Sequence, residues 1–453
     1  MHLDWLFERM GETPDQAAVV WREQAITYGT LLAARDAWEH ELDRQQIGAG
    51  HVVAILGDYS PNAIALLLAL IDRGVVIVPL TDATLPQHPV FLELSEATHQ
   101  VTFAADDTST FTVLADAGSV THPLIRDVVD RGVPGLIVFS SGSTGVSKGM
   151  VHDLSRTLQK FVTRRQPLVT MAFLLFDHMG GINTLLHTLS NNGTVVATER
   201  REPDAVCALV AEHRVELLPV SPTFLGLLML SGAHRRHDVS SLRLVTYGTE
   251  VMPQATLDRA SRELPDVEFR QTYGLSETGA LRTKSRDNTS TWLKVGGEGV
   301  ETKIVDGTLW VRSPWAVLGY LNAPNPFDAD GWLNTQDRVE VDGDYIRFLG
   351  RETDIINVGG NKVYPAEVES VLMELDNIED AEVFGDVNAL LGFVVAARVV
   401  LAEPEPTREL TKRIRTHVAA RLERFKVPAR VEVIDATSFS VRYKKVRGRP
   451  TDS

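Results

Sequence analysis

The stretch Phe139-Ser-Ser-Gly-Ser-Thr-Gly-Val-Ser-Lys-Gly149 is the most informative part of this chain. An apolar run typical of a buried strand ends at Phe139, and small hydroxylated residues and glycines follow as far as Lys148. Glycines let backbone N–H groups approach an anion, hydroxyl groups donate further hydrogen bonds, and lysine adds a positive charge. The stretch therefore predicts a phosphate-binding loop, although its spacing is not the Walker pattern. A flexible Ser/Gly loop with a solvated lysine is the alternative.

The sequence on both sides of this loop alternates strand-like and helix-like segments. Continuous apolar runs predict strands at Val52 to Leu56, Val75 to Leu80, Gly135 to Phe139, Thr194 to Ala197, Glu216 to Val220 and Leu242 to Tyr247. Between the first two runs, Pro61 to Ile71 has the length of a helix. Buried runs separated by helices are typical of mostly parallel sheets covered on both faces. The sequence therefore predicts an α/β fold.

After about residue 295 the pattern changes to short strands and turns. Hairpin signals stand at Asp306-Gly307 and Asp342-Gly343. Strands are predicted at Lys303 to Val305, Thr308 to Arg312, Glu340 to Val341 and Tyr345 to Leu349. From Gly350 onward a small α+β domain is predicted, with helices at Pro365 to Glu374 and Thr407 to Arg424 and strands at Gly392 to Leu401 and Arg430 to Ile434. We therefore expect two domains, residues 1–349 and 350–453.

The composition is ordinary for a globular enzyme. The chain has 453 residues, of which 44% are hydrophobic and 23% charged, and its formal net charge is −15. An acidic balance argues against nucleic acid or an anionic membrane as a partner. Cys207 is the single cysteine, so no internal disulfide can form. The N-terminus lacks the pattern of a signal peptide, and these features together predict a cytoplasmic location.

Three further motifs follow the phosphate-binding loop in order. They are Gln271-Thr-Tyr-Gly-Leu-Ser-Glu-Thr-Gly279, Gly331-Trp-Leu-Asn-Thr-Gln-Asp337 and Gly350-Arg-Glu-Thr-Asp-Ile-Ile-Asn-Val-Gly-Gly360. With the loop, they resemble the ordered signatures of the adenylate-forming superfamily, which includes acyl-CoA synthetases, luciferases and peptide-synthetase adenylation domains. The resemblance implies a large N-terminal domain of stacked, mostly parallel sheets with a small barrel-like part. It also implies a small, mobile α+β C-terminal domain.

The resemblance implies an activity as well. A member of this superfamily uses ATP and Mg²⁺ to convert a small acid into acyl-AMP and pyrophosphate. It then passes the acyl group to a thiol, either coenzyme A or the pantetheine of an acyl carrier protein. Two alternatives stay open: a diazotase-type member that uses nitrite and an aromatic amine, and a catalytically silent nucleotide-binding protein. The departures from the family pattern at Gln336, Thr353 and Tyr443 suit the silent protein, but the intact set of Lys148, Glu277, Asp337, Arg351 and Lys445 argues against it. The sequence leaves the oligomeric state open.

The family's catalytic roles fall on matching positions of this chain. Lys148 and the loop are expected to hold the phosphates, and the loop residues concerned are Ser140, Ser141, Gly142, Ser143, Thr144 and Gly145. Glu277 is expected to be catalytic and to bind Mg²⁺, a hard cation that prefers carboxylate oxygen. Lys445 is the expected catalytic lysine that stabilises charge at the α-phosphorus, with Lys444 as the second candidate.

The same resemblance predicts the nucleotide-binding residues. Tyr273 is expected to stack on adenine, and its motif adds Gly274 and Ser276 to the binding site. Asp337 is expected to accept hydrogen bonds from the ribose hydroxyls, with Arg351 contributing from the domain junction. One further glycine, Gly248, fits the wall beside the adenine, although an ordinary turn explains it equally well.

The acceptor and acid sites are less determined. Gly359 and Gly360 resemble the diglycine that lines the pantetheine channel, and Thr353 stands at the hinge position. Either Asp177 or His178 is expected to border the acid, depending on how the glycines that follow are matched, and Asp177 as a helix cap is the structural alternative. Pro222-Thr223-Phe224 is expected near the same pocket.

Overall fold

The computed structural model describes residues 3–140, 147–297, 299–388 and 391–435. Helices lie at Asp4–Gly11 (α1), Tyr28–Arg44 (α2), Pro61–Asp72 (α3), His88–Leu94 (α4), Pro123–Asp130 (α5), Leu154–Leu158 (α6), Met179–Ser190 (α7), Pro203–His213 (α8), Pro222–Ser231 (α9), Ala233–Arg236 (α10), Gln254–Glu263 (α11), Pro365–Leu372 (α12) and Thr407–Ala419 (α13). Short 3-10 helices lie at Asp82–Gln87, Ala117–Ser119, Gln159–Phe161, Glu352–Asp354 and Arg424–Lys426.

The strands fall into two groups along the chain. The first group is Ala17–Trp21 (β1), Gln24–Thr27 (β2), Val52–Leu56 (β3), Val76–Leu80 (β4), His99–Phe103 (β5), Ser109–Val113 (β6), Gly135–Ser140 (β7), Lys148–Asp153 (β8), Val169–Ala172 (β9), Thr194–Ala197 (β10), Leu217–Val220 (β11), Leu244–Tyr247 (β12) and Glu268–Gln271 (β13). The second group is Tyr273–Leu275 (β14), Gly279–Leu281 (β15), Thr283–Ser285 (β16), Leu293–Val295 (β17), Glu301–Val305 (β18), Thr308–Arg312 (β19), Gly319–Tyr320 (β20), Leu333–Asp342 (β21), Tyr345–Arg351 (β22), Ile356–Val358 (β23), Asn361–Val363 (β24), Ile378–Asn388 (β25), Gly392–Leu401 (β26) and Arg430–Val433 (β27).

Two seven-stranded sheets form the large N-terminal part, in the orders β13-β12-β11-β9-β10-β1-β2 and β20-β8-β7-β4-β3-β5-β6. The central pairs of both sheets are parallel, and antiparallel pairs lie toward the edges. The predicted α/β class with mostly parallel sheets is therefore confirmed. Antiparallel pairing of β20 with β8 brings Tyr320 beside Met150, close to the phosphate-binding loop.

The main core lies between these two sheets, and α3 is its central element. Every residue of α3 from Ala63 to Ile71 is fully buried, because the helix is apolar on all sides. The helix begins after Ser60, whose side chain accepts a hydrogen bond from the Ala63 N–H. Separate apolar clusters cover the outer face of each sheet, so the parallel strands are buried on both sides.

An antiparallel sheet follows in the order β16-β17-β22-β21-β19-β18, and it supplies the predicted barrel-like part. The turn between β18 and β19 has φ of 50° at Asp306 and 74° at Gly307, as the hairpin signal predicts. In β21, Gln336 has φ of 61° at the position where the family motif carries glycine. A left-handed conformation at a residue with a Cβ costs roughly 1 kcal/mol or more.

The C-terminal α+β unit is a five-stranded sheet built from β23 to β27 and covered by α12 and α13. The sequence did not predict β25, and α13 ends at Ala419 instead of Arg424. The chain turns at that point because Leu422 and Phe425 fold back against the core of this unit. The boundary at residues 349 and 350 stays a prediction, and it falls within β22.

Among the described residues, no helix combines the length and the apolar character needed to cross a bilayer.

Candidate active site

A cavity of about 1450 Å³ lies between α7, the β14–β15 hairpin and the ends of β7 and β12. One face of α7 lines it through Gly180, Asn183, Thr184 and His187, which recur at the spacing of a helix. The predicted nucleotide-binding residues that line the cavity are Ser140, Lys148, Gly248, Tyr273, Gly274, Ser276, Glu277 and Arg351. Residues far apart in the sequence thus converge on one site.

The predicted phosphate-binding segment stands between two paired strands whose ends, Ser140 and Lys148, line this cavity. Ser140 ends β7 and Lys148 begins β8, and the two residues are direct partners in the antiparallel pair. The predicted loop residues Ser141, Gly142, Ser143, Thr144 and Gly145 lie outside the described residues. The strand ends therefore define where the loop leaves and rejoins the sheet, next to the rest of the site.

Tyr320 contacts Glu277 through its hydroxyl group and Lys148 through its ring. The Tyr320 hydroxyl donates a 2.6 Å hydrogen bond to Glu277 Oε1, and Lys148 Nζ lies 4.9 Å from the centre of the Tyr320 ring. Burial and then the Glu277 charge raise the pKa of the Tyr320 hydroxyl. Sequence reasoning missed Tyr320, because no motif marks it and only the β20–β8 pairing brings it to the site.

Glu277 suits Mg²⁺, which takes one or two carboxylates and completes its coordination with phosphate oxygens and water. Glu277 lines the cavity, and the 2.6 Å hydrogen bond from Tyr320 to Oε1 orients its carboxylate. The described residues contain no group of three His, Cys, Asp or Glu side chains that could hold a metal alone. A metal held jointly by Glu277 and a triphosphate is consistent with this arrangement.

Tyr273, Asp337 and Arg351 form a second group. The Tyr273 hydroxyl donates to Asp337 Oδ2 at 2.7 Å, and Arg351 Nε donates to Asp337 Oδ1 at 3.2 Å. Asp337 and Arg351 are direct partners across β21 and β22, so the sheet register sets their pairing. Burial raises the pKa of the Asp337 carboxyl, although the Arg351 charge opposes the increase.

The ring of Tyr273 is also fixed in place. It stacks on Phe348 with ring centroids 4.6 Å apart and an interplanar angle of 22°. Phe348 lies on β22, three residues before Arg351, and sequence reasoning did not identify it. Stacking of Tyr273 on adenine stays a prediction.

We expect Tyr273→Phe to raise the KM for ATP about 3- to 30-fold with a smaller effect on kcat. The substitution keeps the ring but removes the hydrogen bond that holds the Asp337 carboxylate. Steady-state kinetics with varied ATP measure the effect. Tyr345→Phe, on β22 and outside the cavity lining, is the control, and an equal KM in Tyr273→Phe and wild type contradicts the prediction.

Two predicted glycines stand where a side chain would not fit. A Cβ at Gly248 would lie 2.6 Å from Thr272 Oγ1 and 2.7 Å from the Thr272 carbonyl oxygen. A Cβ at Gly274 would lie 2.6 Å from the Gly279 carbonyl oxygen. The backbone at both positions therefore forms the cavity wall directly.

The two neighbouring candidates for the acid site separate in the structure. His178 lines the cavity and caps α7, where its Nδ1 accepts a 3.1 Å hydrogen bond from the Gly180 N–H. Asp177 is buried away from the lining, and its Oδ2 accepts a 2.9 Å hydrogen bond from the Thr81 hydroxyl. In this arrangement His178 lines the cavity and Asp177 does not, and His178 forms the helix cap considered for Asp177. Which of the two borders the acid stays a prediction.

Thr223 also differs from its expected placement. Its hydroxyl donates a 2.7 Å hydrogen bond to Glu250 Oε2, and both residues line a smaller pocket of about 30 Å³. Thr223 is the second residue of α9 and does not line the large cavity.

The predicted acceptor residues lie apart from the cavity in this arrangement. Gly359 and Gly360 form the turn between β23 and β24, with φ of 56° and 90°, and do not line the cavity. Lys444 and Lys445 lie outside the described residues, which end at Asp435.

The Lys160 charge acts on two histidines, the buried His152 and the half-buried His187, which lines the cavity. Burial, and then the Lys160 charge, lowers the pKa of His152 to about 3. Burial, and then the charges of Arg165 and Lys160, lowers the pKa of His187 to about 4. Both rings are therefore neutral at pH 7.

This burial predicts acid sensitivity of the fold. An unfolded histidine takes up a proton near pH 6.5, whereas His187 in the fold does so only near pH 4, so acidification favours unfolding between these values. In this window His187 lowers the free energy of unfolding of the wild type by roughly 1.4 kcal/mol for each pH unit of acidification. We expect His187→Gln to lack this part of the pH dependence. Urea unfolding at several pH values measures the pH dependence of the free energy of unfolding. The control is His40→Gln, because His40 is exposed. An unchanged pH slope contradicts the prediction.

Comparison with known proteins gives the class of this chain. A sequence profile of the AMP-binding enzyme family matches residues 6–321, and the profile of the AMP-binding enzyme C-terminal domain matches residues 367–438. The chain belongs to the AMP-binding enzyme family. The assignment to the adenylate-forming enzymes is thus confirmed, and with it ATP-dependent acid activation followed by transfer to a thiol as the activity of the class.

Similar proteins match over nearly their whole length. The chain is 27% identical to a 2-succinylbenzoate–CoA ligase of Bacillus pumilus, over 98% of this chain and 97% of that protein. It is 26% identical to a fatty acid–[acyl-carrier-protein] ligase of Streptomyces coeruleorubidus, over 93% of this chain and 90% of that protein.

Solved structures show the same fold. An anthranilate CoA ligase in complex with anthranoyl-AMP has a TM-score of 0.81 at 20% identity, covering 98% of this chain and 95% of its own. An amide bond synthetase from Marinactinospora thermotolerans has a TM-score of 0.78 at 25% identity, covering 96% of this chain and 95% of its own.

Proposed function

We propose that this chain activates a carboxylic acid as its acyl-AMP and transfers the acyl group to a pantetheine thiol, and that the residues of the large cavity bind and orient the ATP. The convergence of Lys148, Glu277 and Arg351 on one cavity, with the buried Asp337 hydrogen-bonded to Arg351, carries the proposal. These positions match the family motifs, and Tyr320 joins two of them physically.

In the first step a carboxylate oxygen of the acid attacks the α-phosphorus of ATP, and the bond to the pyrophosphate oxygen breaks. Lys148 and Ser140 hold the leaving phosphates, while Asp337 and Arg351 hold the ribose. Glu277 would hold Mg²⁺, which would supply positive charge to the triphosphate oxygens when bound. Lys445 brings a further cation to the α-phosphate, where negative charge accumulates as two anions are joined.

In the second step the thiol sulfur attacks the acyl carbonyl carbon, and AMP leaves with the electron pair of the acyl–phosphate bond. The chain needs no nucleophile of its own, because AMP is a good leaving group and the site supplies positioning. The C-terminal domain rotates near Thr353 and brings the Gly359-Gly360 turn to the cavity for this step. Glycine suits such a turn because both residues have positive φ.

The acid is an aryl or arylalkyl carboxylic acid. The end of the cavity beside α7 is lined by apolar side chains, with Phe161, Leu174 and Met179 among them, and by His178. Relatives at 26–27% identity are named for 2-succinylbenzoate and indoleacetate, which have aromatic bodies. The thiol belongs to coenzyme A or to an acyl carrier protein.

Mass spectrometry of reaction mixtures tests this function. The purified protein is supplied with Mg·ATP, a panel of aryl acids, and either coenzyme A or a pantetheinylated carrier protein. The expected products are AMP and one acyl thioester. A diazo compound formed from nitrite and an aromatic amine identifies the diazotase alternative, and absence of AMP with every acid contradicts the proposal.

A further inference from the structure

Lys160 is a buried cation on the cavity wall that the proposed reaction does not use. It belongs to the short 3-10 helix Gln159–Phe161 and lines the cavity. Its Nζ is shielded from solvent and has no hydrogen-bond partner among the described residues. A Cβ built on Gly279 would lie 3.5 Å from this Nζ, so the ammonium group lies against the β14–β15 hairpin.

The surroundings of Lys160 offer no negative charge within the described part of the chain. The Phe161 ring lies 5.2 Å from Nζ, and His187 packs edge-to-face on that ring at 5.9 Å. The charge of Lys160 lowers the pKa of two histidines, His152 and His187, and both are neutral at pH 7. Burial alone lowers the pKa of Lys160 to about 8, so the amine remains mostly protonated at pH 7.

An ammonium group without a partner is costly to bury, and buried cations in proteins are normally paired. An unpaired cation on the wall of a ligand cavity therefore indicates that the ligand supplies the partner. Asn183 is a second polar side chain on this wall of the cavity, one helical turn before His187. Its Oδ1 is buried without a hydrogen-bond partner among the described residues, and as an acceptor it needs a donor from the ligand, so the anion itself is assigned to Lys160 alone.

We propose that Lys160 binds a second carboxylate of the acid substrate, at the end remote from the carboxylate that is activated. The inference rests on the proposed function, because it assigns the acid to the α7 side of the same cavity. The Lys160 ammonium group can pair with one additional carboxylate; Arg165 also lines the cavity, but that residue is exposed. The substrate class is therefore a dicarboxylic acid with an apolar body, and Lys160 is its specificity-determining residue.

Matched acids test this inference through ATP–pyrophosphate exchange. Benzene-1,4-dicarboxylate and benzene-1,4-diacetate are each compared with their monoamides, which keep the shape but lose one charge. We expect the wild-type KM for each diacid to be about 10- to 100-fold lower than for its monoamide. In Lys160→Met the ratio of the monoamide KM to the diacid KM is expected to fall to near one. The KM for ATP and the kcat with monoamides should stay within about twofold of wild type, since the substitution removes one ground-state contact.

A binding measurement separates specificity from folding. The diacid alone, without ATP, is expected to raise the thermal midpoint of wild type and not that of Lys160→Met. Without ligand, Lys160→Met is expected to be at least as stable as wild type, because it removes an unpaired buried charge. Lys294→Met is the matched control, since Lys294 is an exposed lysine paired with Asp344 at 2.7 Å.

The outcomes distinguish this inference from the function on which it rests. Equal KM values for diacids and monoamides in wild type, or the same ratio in Lys160→Met, overturn the role of Lys160 while exchange itself supports acid activation. Absence of exchange with every acid overturns the proposed function and the inference together.

Discussion

Glu277→Gln is expected to slow acid-dependent release of pyrophosphate by about 100-fold or more. Glutamine has the shape of glutamate and can still accept the hydrogen bond from Tyr320, so the substitution removes mainly the charge. Mg²⁺ binds carboxylate oxygen far better than amide oxygen, and the triphosphate is poorly neutralised without it. The loss should be accompanied by a higher Mg²⁺ concentration for half-maximal rate, measured with a coupled pyrophosphate assay.

Tyr320→Phe is the matched control for this result. It leaves the Glu277 carboxylate in place and removes only the 2.6 Å hydrogen bond that orients it. We expect a loss of about 10- to 30-fold, as one hydrogen bond to a charged group is worth roughly 1.5–2 kcal/mol. A Glu277→Gln enzyme with nearly wild-type rate and Mg²⁺ dependence would exclude the metal-binding role.

Lys445→Ala is expected to reduce adenylation by about 100- to 1000-fold and to leave thiol transfer from supplied acyl-AMP largely intact. The family resemblance places this lysine at the α-phosphate in the first step alone. Two assays measure the effect: pyrophosphate release from acid and ATP, and thioester formation from chemically prepared acyl-AMP. The split between the steps tests catalysis directly, because a folding defect would lower both rates.

Lys444→Ala serves as the control, since the two lysines are adjacent and removal of either changes the net charge equally. We expect it to retain most of the adenylation rate. If Lys444→Ala shows the large selective loss, the catalytic role moves to that residue. Equal loss of both steps in Lys445→Ala speaks against the assignment.

Much of the fold was predictable because strands buried on both faces need continuous apolar runs. β3, β10, β19 and β26 begin and end at the residues that the sequence indicates. The end of α13 was not predictable from local pattern, because the turn after Ala419 depends on packing of Leu422 and Phe425 against the C-terminal core. Tertiary contacts decide the length of this helix.

The residues of the candidate site also divide into those that local sequence reveals and those that only tertiary contacts bring together. Lys148, Glu277, Asp337 and Arg351 each stand inside a contiguous motif, so a single sequence is enough to find them. Partners contributed by other elements could not be found this way. Tyr320 reaches Glu277 from 43 residues away in the chain through strand pairing. Lys160 lies in the segment Leu158-Gln159-Lys160-Phe161, where nothing indicates that its amine is buried.

The choice between Asp177 and His178 depended on geometry that spacing alone does not define. Adjacent residues at a helix start point in different directions, and only the backbone shows which one faces the cavity. His178 adopts an extended conformation with φ of −117° and ψ of 141°, and its ring turns back to the first N–H groups of α7. Asp177 turns instead toward Thr81.

Isotope transfer from the acid into AMP tests the central claim most directly. The protein is incubated with Mg·ATP, thiol acceptor and an acid whose carboxylate carries ¹⁸O, and the AMP is analysed by mass spectrometry. When both carboxylate oxygens are ¹⁸O, attack of the carboxylate on the α-phosphorus places one ¹⁸O atom in each AMP released. This is the result we predict. Unlabelled AMP, or label found only in inorganic phosphate, would show that no acyl-adenylate forms.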